Sequence, residues 1–237
     1  MKVLEFKKEP YILEYFKNCS WGAAQFLYSL IIEEKVEEVL GEKTKIVVLV
    51  DEENVVSFAT YAKRDCIADD TMFPWIGFVY TDEAYRGKRY SQKVINYIID
   101  KARDAGHSNI YLATDHIGFY EKYGFEYLES RIDIYDEESR IYFYDLLKKY
   151  ETMLENYYDS NGLLKQWPSK KPLQKIILKR FKDYFEYNKD YTEKEINEII
   201  KSKIAFNDIE MIRRELYNNH ILIRLLNGSK YWKEEQK

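Results

Sequence analysis

The chain has 237 residues, of which 46% are hydrophobic, and its formal net charge is −4. This length allows one large domain or two small ones, and the apolar fraction excludes a disordered chain. Cys19 and Cys66 are its two cysteines and its three histidines are dispersed, so we expect neither a disulfide framework nor a metal site. Because it shows no bilayer-spanning run and no signal-peptide apolar stretch, we expect a cytoplasmic protein without membrane contact.

Residues 1–147 are predicted to form a mixed α/β domain. A helix is expected from Ser20, its N-cap, to Leu40, with Gly41 as the stop. The last two predicted strands are joined by a turn at Asp136–Ser139. Runs rich in β-branched and aromatic residues predict six strands, which are Lys45–Val50, Val55–Ala62, Trp75–Thr81, Ile110–Thr114, Phe125–Tyr135 and Arg140–Tyr144.

A basic, glycine-containing turn follows the third strand, with the sequence R-G-K-R-Y-S at residues 86–91. A helix with a clean apolar face begins directly after it, and Gly106 ends that helix. The first N–H groups of a helix have no internal partners, and the helix dipole adds positive charge there. The turn therefore predicts a site for phosphates, and a solvated basic helix start is the alternative.

A second motif, FYEKYGF at residues 119–125, lies a few tens of residues further on. Together the two motifs resemble those of the GNAT superfamily of acetyl-CoA-dependent N-acetyltransferases. The phosphate-loop pattern of that family is [QR]-x-x-G-x-[GA], and Arg86 matches its first position. Arg89 stands where the pattern has glycine, and Ser91 stands where it has glycine or alanine.

This resemblance implies acetyl-CoA as the cosubstrate, with no metal, and it implies roles for individual residues. The backbone amides of Phe78, Val79 and Tyr80 would hold the pantetheine and polarise the acetyl carbonyl. Tyr120 would be the general acid, because a phenol with a pKa near ~10 is protonated at neutral pH and can donate to a thiolate. The pyrophosphate would lie on the amides of the loop, formed by Arg86, Gly87, Lys88, Arg89, Tyr90 and Ser91.

Other interpretations of these residues stay open. Phe78 and Tyr80 can also be packed strand side chains, and Tyr120 can be an aromatic residue packed under the cofactor or in the core. Arg89 either swings outward to contact phosphate or narrows the loop; we expect it to be tolerated. The general base is unassigned among the acids and the histidine near the strand ends, which are Asp69, Asp70, Asp82, Glu83, Asp115 and His116.

Residues 148–161 are predicted to form a charged helical linker, and 162–237 a second domain. The charge changes sign here: residues 1–159 carry 20 Lys and Arg against 30 Asp and Glu, or −10, whereas 160–237 carry 17 against 11, or +6. Three helical patterns, one opening with a Thr192–Glu195 capping box and one with Asp208, precede a hairpin at Asn227-Gly228. This order is winged-helix-like, and the segment also resembles a small uncharacterised bacterial domain.

Two roles are considered for this second domain. Arg213 and Arg214 could enter the major groove of DNA, with Arg224 or Lys230 on the wing. A protein-interaction module or a lid over the substrate is the expectation we prefer, because Glu210 could pair with Arg213 and the net charge is modest.

The sequence thus predicts an N-acetyltransferase that acts on a primary amine by direct attack. The acidic first domain favours a cationic acceptor such as a polyamine, an aminoglycoside-like amine or a basic peptide. The alternative is an acyl-CoA- or ligand-sensing transcriptional regulator with a degenerate acetyltransferase domain. Whether the protein forms a homodimer is left open.

Overall fold

In a computed structural model, which describes residues 1–233, the chain divides into two compact units, Met1–Leu146 and Leu147–Lys237. Each unit has an apolar core of its own. Residues 234–237, the end of the predicted second domain, lie outside the described residues.

The first unit is built on a seven-stranded sheet with the strand order β1-β2-β3-β4-β5-β7-β6. Its neighbouring strands pair antiparallel except for β4 and β5, which are parallel. The mixed α/β class predicted from the sequence is confirmed. The strands are β1 (Lys2–Glu5), β2 (Lys45–Asp51), β3 (Asn54–Ala62), β4 (Trp75–Thr81), β5 (Asn109–Thr114), β6 (Glu126–Ile132) and β7 (Glu138–Asp145).

Helices cover both faces of this sheet. The helices are α1 (Pro10–Asn18), α2 (Gly22–Ile32), α3 (Val36–Leu40) and α4 (Tyr90–Asp104). On one face the apolar side of α4, including Val94 and Ile98, packs on Ile76 of β4 and Ile110 of β5. On the other face α1 and α2 pack on β2 and β3. The sheet is therefore enclosed between two helical layers, which agrees with its mostly apolar strands.

Three predicted boundaries in this unit are wrong. The helix predicted over Ser20–Leu40 begins at Gly22 with Trp21 as its N-cap, and Glu34, at φ 59°, divides it into α2 and α3. An L-residue in the left-handed region cannot continue a right-handed helix, which explains the break. The strand predicted to reach Tyr135 ends at Ile132, and β7 begins inside the predicted turn.

Other parts of the sequence interpretation match the structure or were missed by it. The prediction of Trp75–Thr81 as a strand is confirmed residue for residue, and so is Gly41 as a helix stop, at φ 92°. The strand β1 and the helix α1 were not predicted. Proline stands at the first position of α1, Pro10, and this is a signal that could have been used.

The described part of the second unit, residues 147–233, has four α-helices and a small sheet in the order β8-β10-β9. These elements are α5 (Lys148–Leu154), α6 (Lys171–Lys182), α7 (Glu193–Lys201), α8 (Ile209–Asn218), β8 (Asp190–Tyr191), β9 (Ile223–Arg224) and β10 (Tyr231–Trp232). The capping box between Thr192 and Glu195 is confirmed, and Asp208 accepts a hydrogen bond from the Met211 amide (3.0 Å) at the start of α8. Winged-helix character stays a prediction.

The helix α5 lies in the predicted helical linker, and its Leu154 is fully buried in the core of the second unit. The predicted hairpin differs from the structure. The strands β9 and β10 are only two residues long, so a loop of residues 225–230, rather than Asn227-Gly228 alone, joins them.

The edge strand β1 is anchored by a carboxylate. Glu5 accepts hydrogen bonds from Lys45 of β2 (2.8 Å) and from Tyr97 (3.1 Å) of α4, and its second ion pair is with Lys101 of α4 (3.1 Å). The hydrogen bond from Lys45, helped by those from Lys101 and Tyr97, lowers the pKa of Glu5 to about 2. A single ionised group thus ties β1 to both β2 and α4.

The Glu5→Gln variant is expected to lower the free energy of unfolding at pH 7 by about 1 kcal/mol, since the ion pairs lie near the surface. Because the pKa of Glu5 is lower in the folded protein, its carboxylate stabilises the fold above the unfolded-state pKa of ~4.3. This contribution is lost as the pH falls through about 2. Urea denaturation between pH 7 and pH 2.5 measures this. The difference from wild type should shrink steadily below pH 4 and be only a fraction of its pH 7 value at pH 2.5, which lies just above the folded pKa of about 2, while Glu53→Gln in the exposed β2–β3 turn should show no such trend. A deficit that is constant with pH would contradict the ion-pair explanation.

Candidate functional site

Strand β4 separates from β5 soon after it begins. The parallel ladder between the two strands pairs Trp75 with Tyr111, and it has no other partner pair within the described residues. On its other side β4 carries a bulge at Phe78, whose φ is 50°, where the register against β3 shifts. A bulge adds one residue and bends its strand. Beyond Trp75, the described residues of β5 therefore offer no ladder partner to the backbone groups of β4.

The predicted phosphate loop forms the start of α4. Gly87 has φ 79°, and Arg89, the N-cap, has φ 57° and ψ 34°. Arg89 therefore adopts the left-handed conformation for which glycine is favoured, and its side chain makes no capping hydrogen bond. The first turn of α4 has no acidic residue. No negative side chain there offsets the positive end of the helix dipole, as an anion site requires.

One cleft of about 750 Å³ joins the end of β4, the loop and the short 3₁₀ helix Tyr120–Tyr123. It brings together eight of the ten predicted site residues, which are Val79, Tyr80, Arg86, Gly87, Arg89, Tyr90, Ser91 and Tyr120. Phe78 and Lys88 do not line it: the Phe78 ring lies 6.4 Å from that of Phe26. The wall residues that sequence reasoning missed include Trp21, which stacks on Tyr80 at 5.1 Å.

The two sequence motifs contact each other across this cleft. The hydroxyls of Ser91, at the start of α4, and Tyr123 lie 3.2 Å apart. Arg86 is held by Glu83 (3.4 Å) and lies 5.6 Å from the centre of the Tyr80 ring. These contacts fix the loop relative to the strand and to the 3₁₀ helix.

Tyr120 is largely buried but lines the cleft. Its ring lies 5.0 Å from Phe119, 6.1 Å from Phe125 and 6.3 Å from Tyr123. Burial, with a smaller effect from Tyr123, raises the pKa of Tyr120 to about 12. The phenol therefore keeps its proton at neutral pH and can donate it inside the cleft. Core packing and a proton-donating role are compatible here.

Three of the five candidate acids have side-chain partners, and one of them, Glu83, is the partner of Arg86. Asp69 accepts hydrogen bonds from Thr71 and from Arg131 (2.6 Å), which lower its pKa to about 2. Asp82 accepts from the Tyr15 hydroxyl (2.9 Å) and from a backbone amide of the following 3₁₀ turn. His116 is the one of the six that lines the cleft, with Nδ1 3.2 Å from the Thr114 hydroxyl.

Sequence reasoning also missed Asp65, a carboxyl in the connection between β3 and β4. Its Oδ1 accepts a hydrogen bond from the Cys66 amide (2.8 Å), and burial raises its pKa. Nothing in the local sequence distinguishes Asp65 from a solvated loop acid. Burial and the charge of Asp65 raise the pKa of the Cys66 thiol to about 12, so Cys66 is a poor nucleophile.

In the second unit, three of the four basic residues considered for DNA contact have partners within that unit. Arg213 bonds to Glu193 (2.7 Å) and Asn197 (2.7 Å), not to Glu210 as predicted. The guanidinium of Arg224 lies 4.5 Å from the Tyr217 ring centre, and Lys230 pairs with Asp190 (2.5 Å). Arg214 is exposed.

Two further observations concern residues 1–233. No cluster of three or more His, Cys, Asp or Glu side chains in this range could hold a metal ion. None of the helices in the same range has the length and the apolarity to cross a membrane.

Two family models match the chain. The Acetyltransferase (GNAT) family model matches residues 11–125. A model described as "Uncharacterized protein conserved in bacteria (DUF2087)" matches residues 163–233. No curated protein matches the sequence.

Several solved structures are similar to the first unit. An aminoglycoside 6'-acetyltransferase type Ii is 19% identical with a TM-score of 0.49, and the match covers 62% of this chain and 97% of that one. An aminoglycoside 6'-N-acetyltransferase complexed with coenzyme A is 16% identical with a TM-score of 0.48, over 62% and 97%. An acetyltransferase from Streptococcus agalactiae 2603 is 21% identical with a TM-score of 0.45, over 61% and 97%. These values are too low to carry an activity or a substrate to this chain.

The Gly87→Ala variant is expected to lower the free energy of unfolding by about 1 kcal/mol, because an L-residue in the left-handed region is strained. Steric overlap is not the cause, since a Cβ at Gly87 would meet no atom within 4 Å. Gly22→Ala at the start of α2 is the matched control: its Cβ is equally unobstructed but its φ is ordinary. We expect the control to be neutral or stabilising in urea denaturation. Equal losses of unfolding free energy in the two variants would show that the effect of Gly87→Ala does not come from the positive φ of Gly87.

Proposed function

Residues 11–125 match a GNAT-family acetyltransferase domain, and from this premise we propose that the protein transfers an acetyl group from acetyl-CoA to a primary amine. The observation that carries the proposal is the convergence of three features on one cleft. These are the unpaired edge of β4, the uncapped basic start of α4 and the buried phenol of Tyr120.

Each feature has a task in acetyl transfer. The unpaired edge of β4 at Val79 and Tyr80 offers backbone amides to the pantetheine arm and to the acetyl carbonyl, whose oxygen gains charge when the amine attacks. The loop amides and Arg89 would take the phosphates. Tyr120 would protonate the thiolate that leaves. Direct attack fits because Cys19 is buried and the Cys66 thiol is protonated, so neither is an activated nucleophile.

A second groove, of about 760 Å³, supports a cationic acceptor. It shares Tyr80 and Tyr85 with the first cleft, and four of its lining residues are acidic, namely Glu14, Glu53, Asp82 and Glu83. Negative charge beside the transfer site attracts amines that are protonated in water. A polyamine, an aminoglycoside-like amine or a basic peptide carries the positive charge that this groove would attract.

The regulator alternative is not proposed. It depended on Arg89 closing the loop and on basic residues free to contact DNA. The loop has the backbone of a helix start with Arg89 in place, and Arg213, Arg224 and Lys230 are engaged within their unit. Neither family match supports a regulatory role.

Calorimetry should detect acetyl-CoA binding at micromolar strength, with weaker binding of 3′-dephospho-CoA than of CoA. Arg89→Gly keeps the left-handed backbone but removes a cation, so we expect roughly a tenfold loss of affinity. Arg89→Lys, which keeps the charge, should lose less. If wild type fails to bind and Arg89→Gly binds, Arg89 closes the site. If neither protein binds, the cofactor assignment is wrong.

The Tyr120→Phe variant is expected to lower kcat by about 100-fold with little change in acetyl-CoA affinity, because the lost proton donor acts only when the thiolate leaves. Thiol release with spermidine, kanamycin and a capped lysine peptide measures turnover. Tyr123→Phe is the comparison: it removes the contact with Ser91, so it should weaken cofactor binding more than turnover. Unchanged kcat in Tyr120→Phe from pH 6 to pH 10 would remove Tyr120 from the mechanism.

A further inference from the structure

A carboxyl group occupies the position that a side chain at Gly77 would take. Gly77 lies on β4, directly before the bulge at Phe78. A Cβ added to Gly77 would lie 2.1 Å from Asp65 Oδ2 and 3.0 Å from the hydroxyl oxygen of Thr60, its cross-strand partner on β3. The absence of a side chain at position 77 thus lets Asp65 reach β4 from the preceding connection.

This carboxyl lies on the sheet face opposite Tyr120. Ile76 and Val79 of β4 face α4, in the same apolar core as Tyr120. Trp75 and Phe78 face the other way, toward the clusters that cover the opposite side of the sheet. Gly77 shares that opposite face, since it alternates with Ile76. The Tyr120 phenol and the Asp65 carboxyl therefore lie on opposite faces of the sheet, with β4 between them.

One buried polar group beside Gly77 has no partner. Asp65 Oδ1 accepts a hydrogen bond from the Cys66 amide, and Oδ2 points at Gly77. The Thr60 hydroxyl is fully buried and has no hydrogen-bond partner within the described residues. A buried hydroxyl without a partner is costly, so this position favours a ligand that can hydrogen-bond there. An amine N–H suits both a hydroxyl and a carboxylate oxygen.

We propose that Asp65 is the catalytic base that removes the proton from the acceptor ammonium, with Thr60 orienting the nitrogen. The inference rests on the proposed acetyl transfer and assigns its missing proton acceptor.

The surroundings of Asp65 suit this task. Burial raises its pKa, which makes its carboxylate a stronger base than a solvated one. The amide and the thiol of Cys66 both donate hydrogen bonds to the Asp65 carboxyl. The charge of Asp133, in the β6–β7 turn, contributes to the raised pKa of the Cys66 thiol. The thiol stays neutral, so it adds no competing charge.

Every proton in the reaction can be accounted for without another reactant. The ammonium gives one proton to Asp65, and the neutral amine attacks the thioester carbonyl. The C–N bond forms and the C–S bond breaks as the thiolate takes the Tyr120 proton. The nitrogen's second excess proton returns through solvent to the tyrosinate, and Asp65 releases its own proton to solvent. The products are the amide, CoA as the thiol and one proton.

The test compares Asp65→Asn with Asp104→Asn, an exposed acid at the end of α4. Acetyl transfer to spermidine, kanamycin and a capped lysine peptide is followed from pH 6 to pH 10.5. At pH 7 we expect Asp65→Asn to lower kcat/KM by about 100-fold and Asp104→Asn by less than about twofold. The loss in Asp65→Asn should shrink as the pH approaches the amine pKa of ~10, where the free amine needs no base.

The outcomes separate the two proposals. If wild type acetylates none of the three amines, the proposed function fails and the base role fails with it. If wild type is active and Asp65→Asn loses the same factor at every pH, Asp65 is structural and only this inference is overturned. Acetyl-CoA affinity by calorimetry shows whether the variant is folded.

If Asp65→Asn does not fold, the wild-type pH profile decides. With Asp65 as the base, kcat should reach its plateau well below the amine pKa of ~10, after the carboxyl has ionised. A kcat that climbs in step with amine deprotonation up to pH 10 would overturn the assignment.

Discussion

The site depends on the early end of the pairing between β4 and β5. A continuous parallel ladder would satisfy every backbone group along β4 and leave no room for a ligand. Here the ladder pairs Trp75 with Tyr111, and the bulge at Phe78 bends β4 away from the sheet plane. The seven-stranded sheet can bear this opening because β3 holds the other edge of β4 and two helical layers cover the faces. The cleft, the loop and Tyr120 are arranged around that one opening.

A second constraint is the backbone at the start of α4. The glycine of the family pattern supplies a left-handed conformation at low cost, and Arg89 adopts the same conformation at a higher one. A substitution that seems to destroy a motif can therefore preserve its geometry, because what the phosphates would meet is the backbone. The side chain then adds a positive charge that glycine could not provide.

The sequence predicts the strands well because they are rich in β-branched residues, and it predicts the starts of α7 and α8 because capping is local. It also locates most of the cleft, since the loop and the FYEKYGF segment are short motifs. It does not predict the break at Glu34, which no glycine or proline marks. The burial of Asp65 depends on Gly77, twelve positions away, and on strand register. Long-range contacts of this kind leave no periodic signal.

The neighbourhood of Cys66 has a consequence for redox chemistry. Acetyl transfer would release a free thiol into the cleft, and a mixed disulfide with a protein cysteine would require a thiolate. With a thiol pKa of about 12, Cys66 is ionised in only about one molecule in 10⁵ at pH 7. Cys19 is buried. If the chain transfers acetyl groups as proposed, neither cysteine would be poised to form a mixed disulfide with the thiol product.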